Sequence, residues 1–290
     1  MKLQFTKMHS LGNDFIVIDD RASLLKNLRG LATKLCNRRF GIGADQMLLL
    51  RLSGKADYKM RILNADGSEV EMCGNGIRCL GKYIWDKEGE RRKAKGEKDK
   101  IRQLSIETLG GIKYLRKIGE LIEVDMGEPV FDPGEIPVKI SQGARGKGRG
   151  AIINYPLKVK DKTFRITCVS MGNPHAVIIV NDAGSVRLER YGPLIERHKL
   201  FPKRTNVEFV QVMDKRNIKM RVWERGAGET TACGTGASAS GVASVLLGLA
   251  DRKVTVHLPG GKLRIHWSEK DNRVFMTGDA VRVFEGVVEI

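Results

Sequence analysis

Short apolar runs separated by polar, glycine-rich breaks dominate this chain, and that spacing predicts strands more often than helices. Phe15-Ile16-Val17-Ile18, Met47-Leu48-Leu49-Leu50, Val177-Ile178-Ile179-Val180 and Val207-Glu208-Phe209-Val210 each have the length and content of a buried strand. Two segments carry a helical period instead. After Cys73-Gly74-Asn75-Gly76, the apolar residues Ile77, Leu80, Tyr83 and Ile84 fall on one face, which predicts a helix to about Trp85. After Cys233-Gly234-Thr235-Gly236, the run from Ala237 to Leu249 is apolar nearly all round and rich in small residues. That is the pattern of a helix buried inside its sheet.

The pattern also repeats. Leu11-Gly12-Asn13 before an apolar run matches Met171-Gly172-Asn173 before another, at an offset of 160 residues. Gln46 and Asn206, Asn64 and Glu224, and Cys73 and Cys233 keep the same offset. A weaker echo continues at offsets near 150, where Leu109-Gly110-Gly111 resembles Pro259-Gly260-Gly261 and Met126-Gly127-Glu128 resembles Thr277-Gly278-Asp279. The chain therefore reads as two copies of one unit. The expected division is 1–132 carrying Cys73, 133–275 carrying Cys233, and a closing segment 276–290 that can return to the N-terminal half.

Composition narrows the class. With 290 residues, 41% hydrophobic and 6% aromatic, the chain has the balance of a globular protein with a sizeable core. No apolar stretch approaches the roughly 20 residues that span a bilayer, and patterned sequence begins at Met1, so neither membrane insertion nor secretion is expected. Five cysteines, odd in number and widely spread, do not form a disulfide framework and suit a reducing cytoplasm. Cys36, Cys79 and Cys168 read as small buried hydrophobes. No ligand set for a metal is apparent, because Cys73 and Cys79 lack the spacing and partners of a zinc site.

Net charge is +17, which raises nucleic acid as a partner. It is partly concentrated in two stretches, DKEGERRKAKGEKDKIR at 86–102 and QGARGKGRG at 142–150, which read as solvated surface insertions. Neither interleaves aromatics with its charges, and no helix-turn-helix, ribonucleoprotein or zinc-finger signature is present, so specific nucleic-acid binding is not expected.

The two thiols carry the chemistry. Each sits at a glycine-rich loop opening a helix, where free backbone N–H groups and roughly +0.5 of an elementary charge favour an anion. The placement predicts thiol pKa values below the usual figure of about 8.5 and a carboxylate-binding amide cradle at each helix start. Two such sites on opposite faces of one carbon would suit inversion of a stereocentre, since one group removes a proton while the other returns one. Paired helix starts would stabilise the charge that develops on the carboxylate.

HSLGNDFIVID at 9–19, GIGADQ at 41–46, NADGSEVEMCGNGIRC at 64–79, SMGNPHAV at 170–177, RTNVEF at 204–209 and ERGAGETTACGTG at 224–236 resemble, in order, the motifs of the diaminopimelate epimerase family. LPGG at 258–261 and MTGDA at 276–280 extend the likeness toward the C-terminus. The resemblance implies an α+β fold of two pseudo-symmetric domains, each a mixed β-sheet wrapped around a central helix. It implies cofactor-independent epimerisation of LL-2,6-diaminopimelate to the meso form, for lysine and peptidoglycan precursor biosynthesis, with Cys73 and Cys233 as acid and base.

By the same resemblance, amides of Gly74, Asn75, Gly234 and Thr235 would hold the reacting carboxylate. Asn64, Asn206 and Arg225 would grip the distant carboxylate, Glu224 the ammonium groups, and Asn13, Gln46 and Asn173 the rest of the pocket. His175 and Glu224 would support catalysis. A homodimer is implied too, although Phe284 stands where relatives often carry a tyrosine implicated in dimer contacts. A proline or hydroxyproline racemase is the alternative, and the residues assigned to the distant end of the substrate argue against it.

Overall fold

The computed structural model describes residues 1–94, 102–139 and 150–290. They divide into two compact units, Met1–Asp125 with Thr277–Ile290, and Met126–Met276. In chain order the elements begin with β1 (Lys2–Ser10), β2 (Asn13–Asp19), α1 (Leu28–Cys36), β3 (Gln46–Arg51), β4 (Tyr58–Asn64), β5 (Glu69–Val70) and α2 (Gly74–Ala94). β6 (Gln103–Thr108), β7 (Gly111–Ile118) and β8 (Leu121–Gly127) follow. Next come β9 (Tyr155–Val159), β10 (Lys162–Ser170), β11 (Pro174–Ile179), α3 (Leu188–Glu196), β12 (Asn206–Asp214), β13 (Asn217–Glu224), β14 (Gly228–Thr230) and α4 (Gly234–Leu246). β15 (Lys253–Leu258), β16 (Gly261–Trp267), β17 (Val274–Gly278) and β18 (Val281–Glu289) complete the chain.

Pairing within the two units matches strand for strand. In the first, β1 lies antiparallel to β18 and β2, β2 is parallel to β3, β3 antiparallel to β4, and β4 parallel to β6. In the second, β10 lies antiparallel to β9 and β11, β11 is parallel to β12, β12 antiparallel to β13, and β13 parallel to β15. Each mixed sheet wraps a helix: α2 packs on β1 to β4 and β18, and α4 on β10 to β13, β15 and β16. The fold class is α+β.

α4 can be enclosed because its residues are small. Positions 236–244 are all buried, and a methyl added at Gly241 would stand 3.0 Å from Ile265 Cγ2. Two of its buried hydroxyls bond within the helix, Ser238 donating to the Gly234 carbonyl at 3.0 Å and Ser244 to the Ser240 carbonyl at 2.8 Å, while Ser240 donates to Met220 Sδ on β13 at 3.0 Å.

Two expectations need correction. The helix after Cys73 does not stop near Trp85 but continues to Ala94, so residues 86–94 are helical rather than a loop. Lys, Arg and Glu are good helix formers, and the pairs Lys82–Asp86 and Glu88–Arg91 sit at the spacings that support a helix, with Arg91, Arg92 and Lys93 at its C-terminal end. The rest of the first charged stretch up to residue 101, and all but the end of the second, lie outside the described residues. The short helices α1 and α3 were also not anticipated. Both begin at equivalent repeat positions and carry buried residues at i, i+3, i+4 and i+7: Leu28, Leu31, Ala32 and Leu35, then Leu188, Tyr191, Gly192 and Ile195.

Candidate active site

In the first unit the strands bring one set of polar residues to one end of the sheet. Leu11 and Gly12 form a two-residue turn with φ of 54° and 84°, the left-handed conformation a tight hairpin needs, and it places Asn13 at the start of β2. Register sets Gln46 beside Phe15 and opposite Asn64, whose side-chain oxygen accepts from Gln46 Nε2 at 2.8 Å. The other amide atom, Gln46 Oε1, is buried without a hydrogen-bond partner among the described residues.

Cys73 lies directly before α2. Its sulfur accepts from the Gly76 N–H at 3.4 Å, so the thiol caps the helix, and its S–H faces Asn13 Oδ1 at 3.7 Å. Asn75 Nδ2 donates to the same Asn13 oxygen at 3.4 Å, and Asn13 Nδ2 donates to Asp45 at 2.8 Å.

The second unit repeats the cap. Cys233 is the N-cap residue of α4, and its sulfur accepts from the Gly236 N–H at 3.4 Å. Thr235 Oγ1 stands 3.5 Å from that sulfur, and the thiol donates to the Glu224 carboxylate, which Thr230 also bonds. His175 and Asn206 are parallel neighbours on β11 and β12. Asn206 Nδ2 donates to the Pro174 carbonyl, and its oxygen accepts from the Arg225 backbone N–H, each at 2.9 Å. The Arg225 guanidinium is exposed and reaches the Lys203 carbonyl at 3.4 Å.

His175 is fully buried with both ring nitrogens engaged, Nδ1 to Glu208 Oε1 at 2.6 Å and Nε2 to Asn173 Oδ1 at 2.9 Å. Any influence it has must pass through its neighbours. Glu208, also fully buried, was not singled out from the sequence, although a carboxylate amid the apolar residues of β12 was a signal of it. Gly236 packs close to this carboxylate: a methyl there would stand 2.8 Å from Glu208 Oε1. Arg78, with no exposed surface, was missed as well.

The expected drop in thiol pKa fails at Cys233. Burial, and next the negative charges of Glu224 and Glu208, push this thiol well above its ordinary value, outweighing the bonds from Thr235 and the Gly236 amide. Burial also raises Glu224, against the opposing bonds from Thr230 and Cys233. The other three cysteines are enclosed; burial pushes Cys36 to about 11 and drives Cys79 and Cys168 higher still. Among the described residues no group of three or more His, Cys, Asp or Glu side chains is arranged to hold a metal ion, and no helix is long and apolar enough to cross a membrane.

Solved structures share the fold of two mixed sheets, each around a helix. A PhzF-family phenazine biosynthesis protein from Bacillus anthracis aligns over all of both chains with a TM-score of 0.65 at 18% identity. A hydroxyproline epimerase from Agrobacterium vitis aligns over 99% of this chain and 92% of its own, with a TM-score of 0.65 at 12% identity. Those likenesses define the fold.

Sequence similarity resolves the family within it. The diaminopimelate epimerase family model matches residues 5–131 and 167–283, and the chain belongs to that family. It is 49% identical to the diaminopimelate epimerase of Acetivibrio thermocellus and 51% identical to that of Nostoc punctiforme, over 99% of this chain and of each relative. It is 48% identical to that of Methanococcus maripaludis, over 99% of this chain and 100% of the relative.

Proposed function

We propose that this chain interconverts LL-2,6-diaminopimelate and its meso form, with Cys73 and Cys233 as the acid/base pair and no cofactor. The reading includes a cytoplasmic homodimer supplying lysine and peptidoglycan precursors. The observation that carries it is the matched pair of thiol-capped helix starts, Cys73 on α2 and Cys233 on α4, in a chain about half identical to diaminopimelate epimerases along its length.

In one half-reaction the thiolate of one cysteine takes the α proton, and the S–H of the other delivers a proton to the opposite face. Enzyme and substrate then hold the same number of protons as before, with the two thiols exchanged in state. The charge released from the C–H bond spreads into the substrate carboxylate, which amides of Gly74, Asn75, Gly234 and Thr235 would receive. The surroundings of Cys233 favour its S–H form, so it is the proton donor first and Cys73 the base. The remaining polar set, Asn13, Gln46, Asn64, Asn173, Asn206, Glu224 and Arg225, would read the two ends of the substrate. Gln46 Oε1 brings a buried acceptor that lacks a hydrogen-bond partner among the described residues. His175 supports the second thiol through Asn173 and Glu208.

Reduced, metal-free protein in heavy water, with LL-diaminopimelate and nothing else added, should place deuterium at the α carbon and yield the meso isomer. Cys73→Ala and Cys233→Ala should each abolish epimerisation. Folded protein that exchanges no α proton, or that inverts hydroxyproline in preference to diaminopimelate, would overturn the reading.

A further inference from the structure

The repeat makes differences between the units meaningful, because a residue in one has a defined counterpart in the other. Around Cys233 lie the buried pair His175 and Glu208; their counterparts 160 positions earlier are Phe15 and Leu48, both buried and apolar. Inside α2 the reverse holds. Arg78 is fully buried one turn beyond the thiol cap, while its counterpart on α4 is Ser238, which only bonds its own helix. One thiol therefore neighbours a buried cation, and the other neighbours the carboxylates of Glu224 and the buried Glu208.

A buried guanidinium is costly unless its donors are occupied. Arg78 donates from Nη1 to the Gly74 carbonyl at 3.1 Å and from Nη2 to Asn75 Oδ1 at 2.8 Å. Nη2 also reaches Ser10 Oγ, and Nε donates to the Asp279 carbonyl at 3.0 Å. Two of these four partners, Gly74 and Asn75, belong to the first turn of α2, directly after Cys73. The other two tie that turn to the end of β1 and to the chain just before β18, and Ser10 also donates to the Asp279 carbonyl at 2.9 Å.

We propose that Arg78 is the positioning residue of the Cys73 site: it fixes the Gly74–Asn75 cradle and supplies the buried positive charge that lets Cys73 carry the negative charge while Cys233 remains a thiol. Two residues of one type in near-equivalent places thereby take different resting roles. The titratable groups facing Arg78 are Cys79, Asp279 and Cys73. Burial pulls its guanidinium below the ordinary value, and each of these groups pulls it back up. The attraction between Arg78 and a Cys73 thiolate is mutual, so the arginine favours that thiolate.

The inference rests on the acid/base reading of the thiols, but its main test needs no substrate. Cys73 alkylation by iodoacetamide, followed against pH by peptide mass spectrometry in a Cys233→Ala background, reports the thiolate fraction directly. Arg78→Met should raise the midpoint by about one pH unit and slow labelling at neutral pH about tenfold, and Arg78→Lys should bring the midpoint most of the way back. With Cys233 intact, Arg78→Lys should still lower kcat about tenfold, with a smaller effect on KM, because an ammonium cannot span Gly74 and Asn75. A folded Arg78→Met protein with the unchanged labelling profile would overturn the proposal. Should that variant fail to fold, wild-type kcat in Arg78→Lys would overturn it instead. Absent diaminopimelate turnover in otherwise normal protein would remove the functional reading, while the labelling profile would still decide the role of Arg78.

Discussion

Cys233 illustrates how neighbours decide the state of a side chain whose local geometry alone points the other way. A helix start favours a thiolate, yet Cys233 is 6% exposed and shares its surroundings with Glu224 and Glu208. Desolvation and like charge both favour the neutral thiol, and together they exceed the effect of one weakly bound amide. Glu208→Gln isolates the charge, because a glutamine oxygen can still accept from His175 Nδ1. In a Cys73→Ala background the midpoint of Cys233 alkylation should fall by about one pH unit, toward the ordinary cysteine value near 8.5. The sign follows from removing an anion that opposes ionisation. An unchanged midpoint would mean that Glu208 does not contribute and that burial together with Glu224 sets the state of Cys233.

At the scale of elements, α3 and β13 couple packing to the site. Gly192 faces the indole of Trp223 so closely that an added methyl would lie 2.6 Å from its Cγ and 2.8 Å from its Cβ. These are the atoms nearest the backbone and cannot swing away, while the far end of the ring is tied by Nε1 to Glu196 at 2.9 Å. Gly192→Ala should therefore destabilise the protein by about 1–3 kcal/mol in denaturant titration, despite the better helix propensity of alanine. It should also weaken catalysis, since Glu224 follows Trp223 on the strand. A neutral or stabilising result would show that β13 shifts freely. The charged tail of α2 contributes differently: its exposed Lys87–Glu90 pair adds a small, salt-sensitive increment, while Arg91 pairs with the buried Glu88 carboxylate.

For the whole molecule, the last strand matters more than its position in the sequence suggests. β18 pairs along nearly all of β1, and Phe284 meets Phe5 edge to face with ring centroids 5.9 Å apart. The second unit has its own apolar core, including Ile166, Ile178, Val207 and Phe209. Ending the chain after Ala280 should therefore loosen the first unit and spare the second. Hydrogen exchange should accelerate in residues 2–19 while 162–224 keep their protection, and unfolding should separate into two steps. Uniform loss of protection across both regions would count against this independence.

Much of this was legible in the chain itself. Short apolar runs located β2, β3, β11 and β12, and the 160-residue offset paired the thiols, because an internal repeat is a relation between positions and needs no coordinates. The nine-residue helices α1 and α3 escaped, being too short for their period to stand out, and α2 was cut short because its charged tail resembles a solvated loop. Sequence alone thus determined the family motifs, the repeat, and the placement of two cysteines at helix starts. Only the tertiary structure decided which charges surround each thiol. Arg78 comes from the helix it serves but is hydrogen-bonded by the Ser10 hydroxyl on β1 and the Asp279 carbonyl before β18, while the charge of Glu208 acts on Cys233 from β12. Such neighbours are set by strand register and burial, and electrostatic free energy depends on distance and desolvation rather than on order along the chain.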